Sequence, residues 1–243
     1  PIRFEGLGAP VVSGQNVYFL TGNNVLIALD RFNGQQRWIY SRTESSDLTI
    51  RGASKPAILN GKLYVGFSDG TAMAFNALNG AIVWEQNLAT NLKYNDVDAK
   101  PLLLNGALYL PNYDGHLYKL NPDNGQVIWK VNVGGPSTVG FSKDLLFVAT
   151  SDSKVVAVSP ETGETKWEYA VKKGIASTPA FHKGMIVFTE SDADVVALEA
   201  HTGRKLATYT TGFGVSAPVN VTEDGHVYFI SRDAILWNLK LGR

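Results

Sequence analysis

Cysteine is absent from this chain of 243 residues, and its absence excludes several kinds of chemistry. Disulfide bonds, thiolate nucleophiles and cysteine-based zinc sites all need a sulfur atom that the sequence does not supply. Charge of one sign is also not in excess: lysine plus arginine and aspartate plus glutamate both number 22. A balanced chain offers no electrostatic attraction to nucleic acid or to an anionic membrane surface, so we expect neither as a partner.

Long apolar runs and helical patterns are missing as well. No run approaches the roughly 20 apolar residues that a membrane-spanning helix needs. The chain opens with Pro1-Ile2-Arg3-Phe4 and lacks the basic and apolar segments of a signal peptide, so we expect a mature or trimmed product, or a cytosolic chain. The 24 glycines and 10 prolines interrupt the sequence too often for long helices.

What the sequence does contain is one segment written six times. Five copies carry a glycine followed four residues later by a slot that holds tryptophan in four of them: Gly34/Trp38, Gly80/Trp84, Gly125/Trp129, Gly163/Trp167 and Gly203/Ala207. Successive motif glycines lie 46, 45, 38 and 40 residues apart, and a sixth copy starts at Tyr228. A period near 40 residues, made of short strands, predicts an all-β fold: a β-propeller of four-stranded antiparallel blades.

The second copy shows how one blade is read. We predict strands at 57–59, 62–67, 71–76 and 81–86, with Asp69-Gly70 in the hairpin turn between the second and third strands. We expect the innermost strand, 57–59, to be buried on both faces. The tryptophans are expected to fill the gaps between neighbouring blades. Ala207 interrupts this series and predicts looser packing around the fifth outer strand.

A blade cannot bury its faces alone, so we expect residues 1–243 to form a single propeller domain. The sixth copy lacks an outer strand, and residues 2–4 resemble an outer strand without its preceding turn. The simplest prediction is that this N-terminal strand completes the last blade. The alternative is that further blades precede residue 1.

Two consecutive connections between an outer strand and the next inner strand are longer than the others. They carry Leu48, Ile50 and Arg51 in the first connection, and Asp96 and Asp98 in the second. In one interpretation the apolar pair holds the loop down and the arginine pairs with an aspartate. In the other, an apolar pair beside an arginine and two acids has the composition of a protein-binding hot spot.

The repeats, with their Asp-Gly turns and Asn-Gly-x-x-x-Trp pattern, resemble the pyrroloquinoline-quinone-type propeller superfamily. Within it, the run 48–52 and the run 96–98 followed by Pro101 resemble the BamB family, lipoprotein subunits of the machine that folds β-barrels into the bacterial outer membrane. The resemblance implies a non-enzymatic scaffold without cofactor at the periplasmic face of that membrane. It also implies docking onto the POTRA domains of BamA through Leu48, Ile50, Arg51, Asp96 and Asp98.

The same resemblance implies eight blades, a lipid anchor on a cysteine upstream of this chain, and possible contact with unfolded outer-membrane clients. The competing hypothesis is a propeller that binds a small ligand or a quinone cofactor. Quinoprotein dehydrogenases carry vicinal cysteines over the cofactor, a signature that this chain cannot meet. The four histidines show no metal-site spacing and no catalytic triad stands out, so we predict no catalytic and no metal-ligating residue.

Overall fold

The computed structural model describes residues 9–42, 54–89, 97 and 99–242. All elements in this part of the chain are β-strands. No helix capable of crossing a membrane is found among the described residues. The strands form six sheets, which we call blades one to six in chain order, and the chain divides into two compact units, Pro1–Lys130 and Val131–Arg243.

The strands of blades one to three are β1 Val11–Ser13, β2 Asn16–Leu20, β3 Val25–Asp30, β4 Gln36–Ser41, β5 Ala57–Leu59, β6 Lys62–Gly66, β7 Thr71–Asn76, β8 Ile82–Asn87, β9 Leu102–Leu104, β10 Ala107–Pro111, β11 His116–Leu120 and β12 Val127–Asn132. Those of blades four to six are β13 Pro136–Phe141, β14 Leu146–Thr150, β15 Lys154–Val158, β16 Thr165–Ala170, β17 Ala180–His182, β18 Met185–Thr189, β19 Asp194–Glu199, β20 Lys205–Thr210, β21 Asn220–Val221, β22 His226–Ile230 and β23 Leu236–Lys240.

Each blade pairs its strands in chain order, which confirms the predicted all-β fold of four-stranded antiparallel blades. Blade six shows three strands, β21 to β23, in the described part of the chain. Residues 2–4, predicted to add its fourth strand, lie outside the described residues. The prediction of a single domain over residues 1–243 stays a prediction.

The four strands predicted in the second copy agree with β5 to β8 to within one residue at each end. The prediction that the inner strand is buried on both faces is wrong, because Leu59 is 37% exposed. This strand is three residues long and has a single neighbouring strand in its sheet, so its last residue stays open to solvent.

The core of each unit is built from the second and third strands of its blades. In the third strands, small residues stand in register opposite the tryptophan slot: Ala28 opposite Trp38, Ala74 opposite Trp84, Ala157 opposite Trp167 and Ala197 opposite Ala207. These four third-strand alanines are buried. Because the alanines are small, a neighbouring blade can approach this face closely.

The motif glycines occupy the turn between the third and fourth strands. Their φ angles lie between 69° and 75°, a region that side chains with a Cβ rarely adopt. In blade two the N–H of Gly80 donates to the carbonyl of Asn76 at 2.9 Å, and the other motif glycines make the equivalent bond. The turn therefore places each outer strand, and the residue in its slot, at the same position in these five copies.

Candidate functional site

The five residues predicted to bind a partner, Leu48, Ile50, Arg51, Asp96 and Asp98, lie outside the described residues. They belong to two connections whose ends are described. We call residues 42–56, between β4 and β5, the first connection, and residues 88–101, between β8 and β9, the second connection. The geometry of these ends determines where the two predicted loops leave and re-enter the fold.

Arg42 holds the start of the first connection against blade two. Its guanidinium forms ion pairs with Asp69 and with Glu85, donates to the hydroxyl of Thr71 at 2.9 Å, and lies 5.7 Å from the ring centre of Phe67. Burial alone would lower the pKa of Arg42, but the hydrogen bond and negative charge of Asp69 outweigh burial and raise it. The guanidinium is therefore a fixed cation at the base of the first loop.

A hydrogen bond joins the far ends of the two connections. The hydroxyl of Ser54 donates to the backbone carbonyl of Ala99 at 3.0 Å, and Ser54 is 1% exposed. Breaking this hydrogen bond would cost more free energy than the bond alone contributes, because the buried hydroxyl could not form a replacement bond to water. The first and second connections are thus held together where they enter β5 and β9.

Val97 anchors the second connection in the core shared by blades two and three. Its side chain is fully buried, and its N–H donates to the carbonyl of Phe67 at 3.1 Å. The close approach depends on Gly66: a Cβ at that position would lie 2.3 Å from both a methyl carbon and the carbonyl oxygen of Val97. A side chain larger than hydrogen at position 66 therefore displaces the end of the second loop.

The start of the second connection is held from both sides. The N–H of Leu88 donates to the carbonyl of Gly70 at 2.9 Å, and its own carbonyl accepts from the hydroxyl of Tyr118 at 3.1 Å and from the side chain of Asn112 at 3.3 Å. The Tyr118 hydroxyl oxygen also lies 3.0 Å from a carboxylate oxygen of Asp114, so the two acceptors share its single proton. Burial, together with the charge of Asp114, raises the pKa of Tyr118, so it remains a donor over the physiological range.

These anchors are the part of the site that sequence reasoning missed. The alternation Asp96-Val97-Asp98 was the one signal in the sequence for the buried valine. Arg42 and Ser54 carry no comparable pattern, because each depends on partners from another blade or connection, 27 to 45 residues away in the chain. The described geometry thus places rigid ends on both predicted loops.

Three of the four tryptophans predicted as structural residues sit at contacts between blades. Three indole N–H groups donate to a backbone carbonyl of the following blade: Trp38 to Ala77 at 3.0 Å, Trp84 to Pro122 at 2.9 Å, and Trp167 to Ala200 at 3.0 Å. The same rings lie against the motif glycine of that blade, respectively Gly80, Gly125 and Gly203. The ring of Trp129 lies 5.8 Å from that of Tyr109 in its own blade.

Residues considered for metal chemistry do not converge within the part of the chain that is described. There, no three histidine, aspartate or glutamate side chains form a group that could hold a metal ion. Asp192, at a hairpin turn of blade five, instead forms an ion pair with Arg232 at 2.6 Å.

Comparison with known proteins identifies relatives of the chain. The family model described as "Outer membrane protein assembly factor BamB" matches residues 2–119 and 113–240. The BamB of Vibrio cholerae is 33% identical over 97 residues, which cover 40% of this chain and 25% of that protein. The chain spans less than half the length of the curated relatives it matches, between 25% and 43%.

Solved structures share the fold. The crystal structure of BamB from Moraxella catarrhalis superposes with a TM-score of 0.86 at 23% identity, covering 99% of this chain and 74% of that one. A quinohemoprotein alcohol dehydrogenase from Pseudomonas putida superposes with a TM-score of 0.72 at 16% identity, covering 95% and 52%. At these identities the likeness shows the fold alone, and it confirms the predicted β-propeller class.

Proposed function

The chain belongs to the BamB family of outer membrane protein assembly factors, and we propose that it is a non-enzymatic scaffold of the machine that assembles β-barrels into the bacterial outer membrane. In this proposal it works on the periplasmic side of that membrane and docks onto the POTRA domains of BamA. Membership of the family supports the general role in outer-membrane protein assembly. The two connections of the first unit support the specific contact with BamA.

The hydrogen bond between Ser54 and Ala99 is the observation that supports the docking proposal most strongly. It fixes the ends of the two connections to one another. The loop bearing Leu48, Ile50 and Arg51 and the loop bearing Asp96 and Asp98 therefore re-enter the fold at neighbouring points, as one composite binding surface requires.

Rigid loop ends also favour binding energetically. Ordering a flexible loop on association consumes about 0.5–1.5 kcal/mol for each immobilised long side chain, and anchoring beforehand removes part of that loss. Arg42 and Val97 provide such anchors, since the first is held by two ion pairs and the second is fully buried. The scaffold thus restricts both loops before any partner arrives.

The chemistry of the five loop residues defines the partner surface. Leu48 and Ile50 cover an apolar patch, and Arg51 reaches an adjacent carboxylate on the partner, a pairing typical of hot spots. Asp96 and Asp98 require basic or N–H donors opposite them. The POTRA surface must therefore present an apolar patch flanked by groups of both charges.

A binding experiment with single-loop variants tests the proposal. Isothermal titration calorimetry of this chain with purified BamA POTRA domains should give saturable binding, and Arg51→Ala should weaken it by about 2 kcal/mol or more, roughly thirtyfold. Its melting temperature should change little, because docking requires this side chain at the surface, where a substitution seldom changes stability by more than about 0.5 kcal/mol.

Arg232→Ala is the matched control, since this arginine is a half-exposed residue in a hairpin turn of blade six. It should leave affinity for the POTRA domains unchanged. A folded Arg51→Ala, Asp98→Ala double variant that binds as tightly as the wild type contradicts the proposal. So does a large fall in melting temperature with Arg51→Ala, because it would assign the arginine to folding.

A further inference from the structure

The contact between blades five and six lacks the indole that fills three other contacts between blades. Ala207 on β20 stands in register opposite Ala197, as Trp167 stands opposite Ala157 and Trp84 opposite Ala74. A register shift follows immediately after the small residue in all three pairs, so the backbones are locally alike. The outer strand of blade five therefore differs from those of blades two and four in the side chain at the slot.

The backbone acceptor for an indole is nevertheless in place on blade six. Leu241 occupies the position that Ala77 and Ala200 hold in blades two and five, because all three N–H groups donate to the glycine carbonyl of the preceding hairpin turn at 2.8–2.9 Å. In blades two and five the carbonyl of that residue accepts the indole N–H of the preceding blade at 3.0 Å. The carbonyl of Leu241 is the corresponding acceptor.

A solvent-open cavity of about 540 Å³ lies where the indole would be. Ala207 and Leu241 both line it, and so do Met185, Val187 and Leu239 from the blades on either side. Its walls reach the surface at Leu206, which is 41% exposed. The volume is within the range of roughly 300–1,000 Å³ usual for small-molecule sites, and the lining is mostly apolar, as in such sites.

We infer that this cavity is a binding site for an indole ring, supplied either as a free indole compound or as a tryptophan side chain of a partner polypeptide. Three described contacts between other blades show the mode of recognition: the ring lies between two blades, and its N–H donates to a backbone carbonyl. The site is independent of the loops proposed to dock BamA.

Titration of the whole chain with indole and, separately, with N-acetyltryptophanamide tests the inference. Calorimetry should show saturable binding of one equivalent, and bound ligand should raise the melting temperature, since ligand that binds only the folded state stabilises it. Ala207→Trp fills the slot from within and should weaken binding at least tenfold. Binding of free indole alone supports a small-molecule ligand, whereas binding of both probes supports a tryptophan side chain.

Ala170→Trp is the matched control, because it adds the same side chain at an exposed position of the neighbouring outer strand β16. This variant should bind indole as the wild type does. The inference is overturned if neither probe binds saturably up to its solubility limit. It is also overturned if Ala207→Trp, folded and with an unchanged or raised melting temperature, binds indole as tightly as the wild type.

Discussion

The two units use the same repeat differently. In the first unit the contacts between blades are filled by Trp38 and Trp84, and two long connections are anchored at both ends. In the second unit Trp167 fills one contact, whereas Ala207 leaves a cavity at the next, and the connections are shorter. The fully exposed β20 reflects the missing ring, because the other outer strands of four-stranded blades keep their central residues partly covered.

Each repeat encodes two separate properties, the packing between blades and the surface that its connection presents. The slot residue controls how well neighbouring blades pack, and it varies without altering strand register. The outer-to-inner connection controls what the surface presents, and it varies without altering the slot. Changes in the first should therefore affect stability, and changes in the second should affect binding.

Removal of an indole from the first unit should produce the largest effect. Trp84 is 7% exposed and donates to the carbonyl of Pro122, so Trp84→Ala loses apolar burial, creates a cavity and leaves an acceptor unpaired. We expect a loss of about 3–5 kcal/mol in unfolding free energy, measured by urea denaturation. Val83→Ala, on the same strand and 42% exposed, is the control and should lose less than about 1 kcal/mol. If both variants lost similar amounts of unfolding free energy, the tryptophan in the slot would contribute no more to stability than an exposed residue of the same strand.

A substitution at Gly66 should produce an intermediate effect, and it should affect both stability and binding. In Gly66→Ala the new Cβ meets Val97 at 2.3 Å, so the end of the second connection must shift. We expect a loss of about 1–3 kcal/mol in stability, typical of overpacking, together with weaker binding to the POTRA domains. Gly242→Ala is the control, because a Cβ there meets nothing within 4 Å. If Gly66→Ala melts and binds like this control, Val97 does not hold the loop.

The smallest effect is expected at a turn that differs between copies. Asp30 accepts from the N–H groups of Phe32 and Asn33 and pairs with Arg37, whereas Asn76 caps the equivalent turn of blade two without a charge. The bond from Phe32 and the pairing with Arg37 lower the pKa of Asp30 below its usual value of 3.8. Its folded pKa is depressed, so the stabilisation is present above about pH 4 and is lost as the pH falls through the folded pKa.

Asp30→Asn should therefore lower the melting temperature slightly at neutral pH, since the turn caps remain and only the charge is lost. The difference from the wild type should shrink towards zero as the pH is lowered below about 4. Melting curves recorded between pH 2.5 and 7 measure it. A difference that stays constant over this range would show that the ion pair contributes nothing.

The repeat period and the strand boundaries could be predicted from the sequence because they depend on local signals. Turn glycines such as Gly80 and slot residues such as Trp84 recur at fixed spacing, so the blades and the special position of Ala207 were visible beforehand. The anchors at Arg42 and Ser54 could not be predicted, since each is defined by partners distant in the chain. Exposure of Leu59 was also missed, because an apolar run of three residues looks alike in a core strand and at a sheet edge.

Hydrogen–deuterium exchange of this chain, with and without BamA POTRA domains, tests the docking proposal most directly. Binding should slow amide exchange in residues 43–53 and 90–98. The corresponding connections of the second unit, residues 171–179 and 211–219, should exchange at the same rate in both samples. Protection confined to the second unit, or equal protection of connections in both units, would contradict the claim that the two long connections form the docking surface.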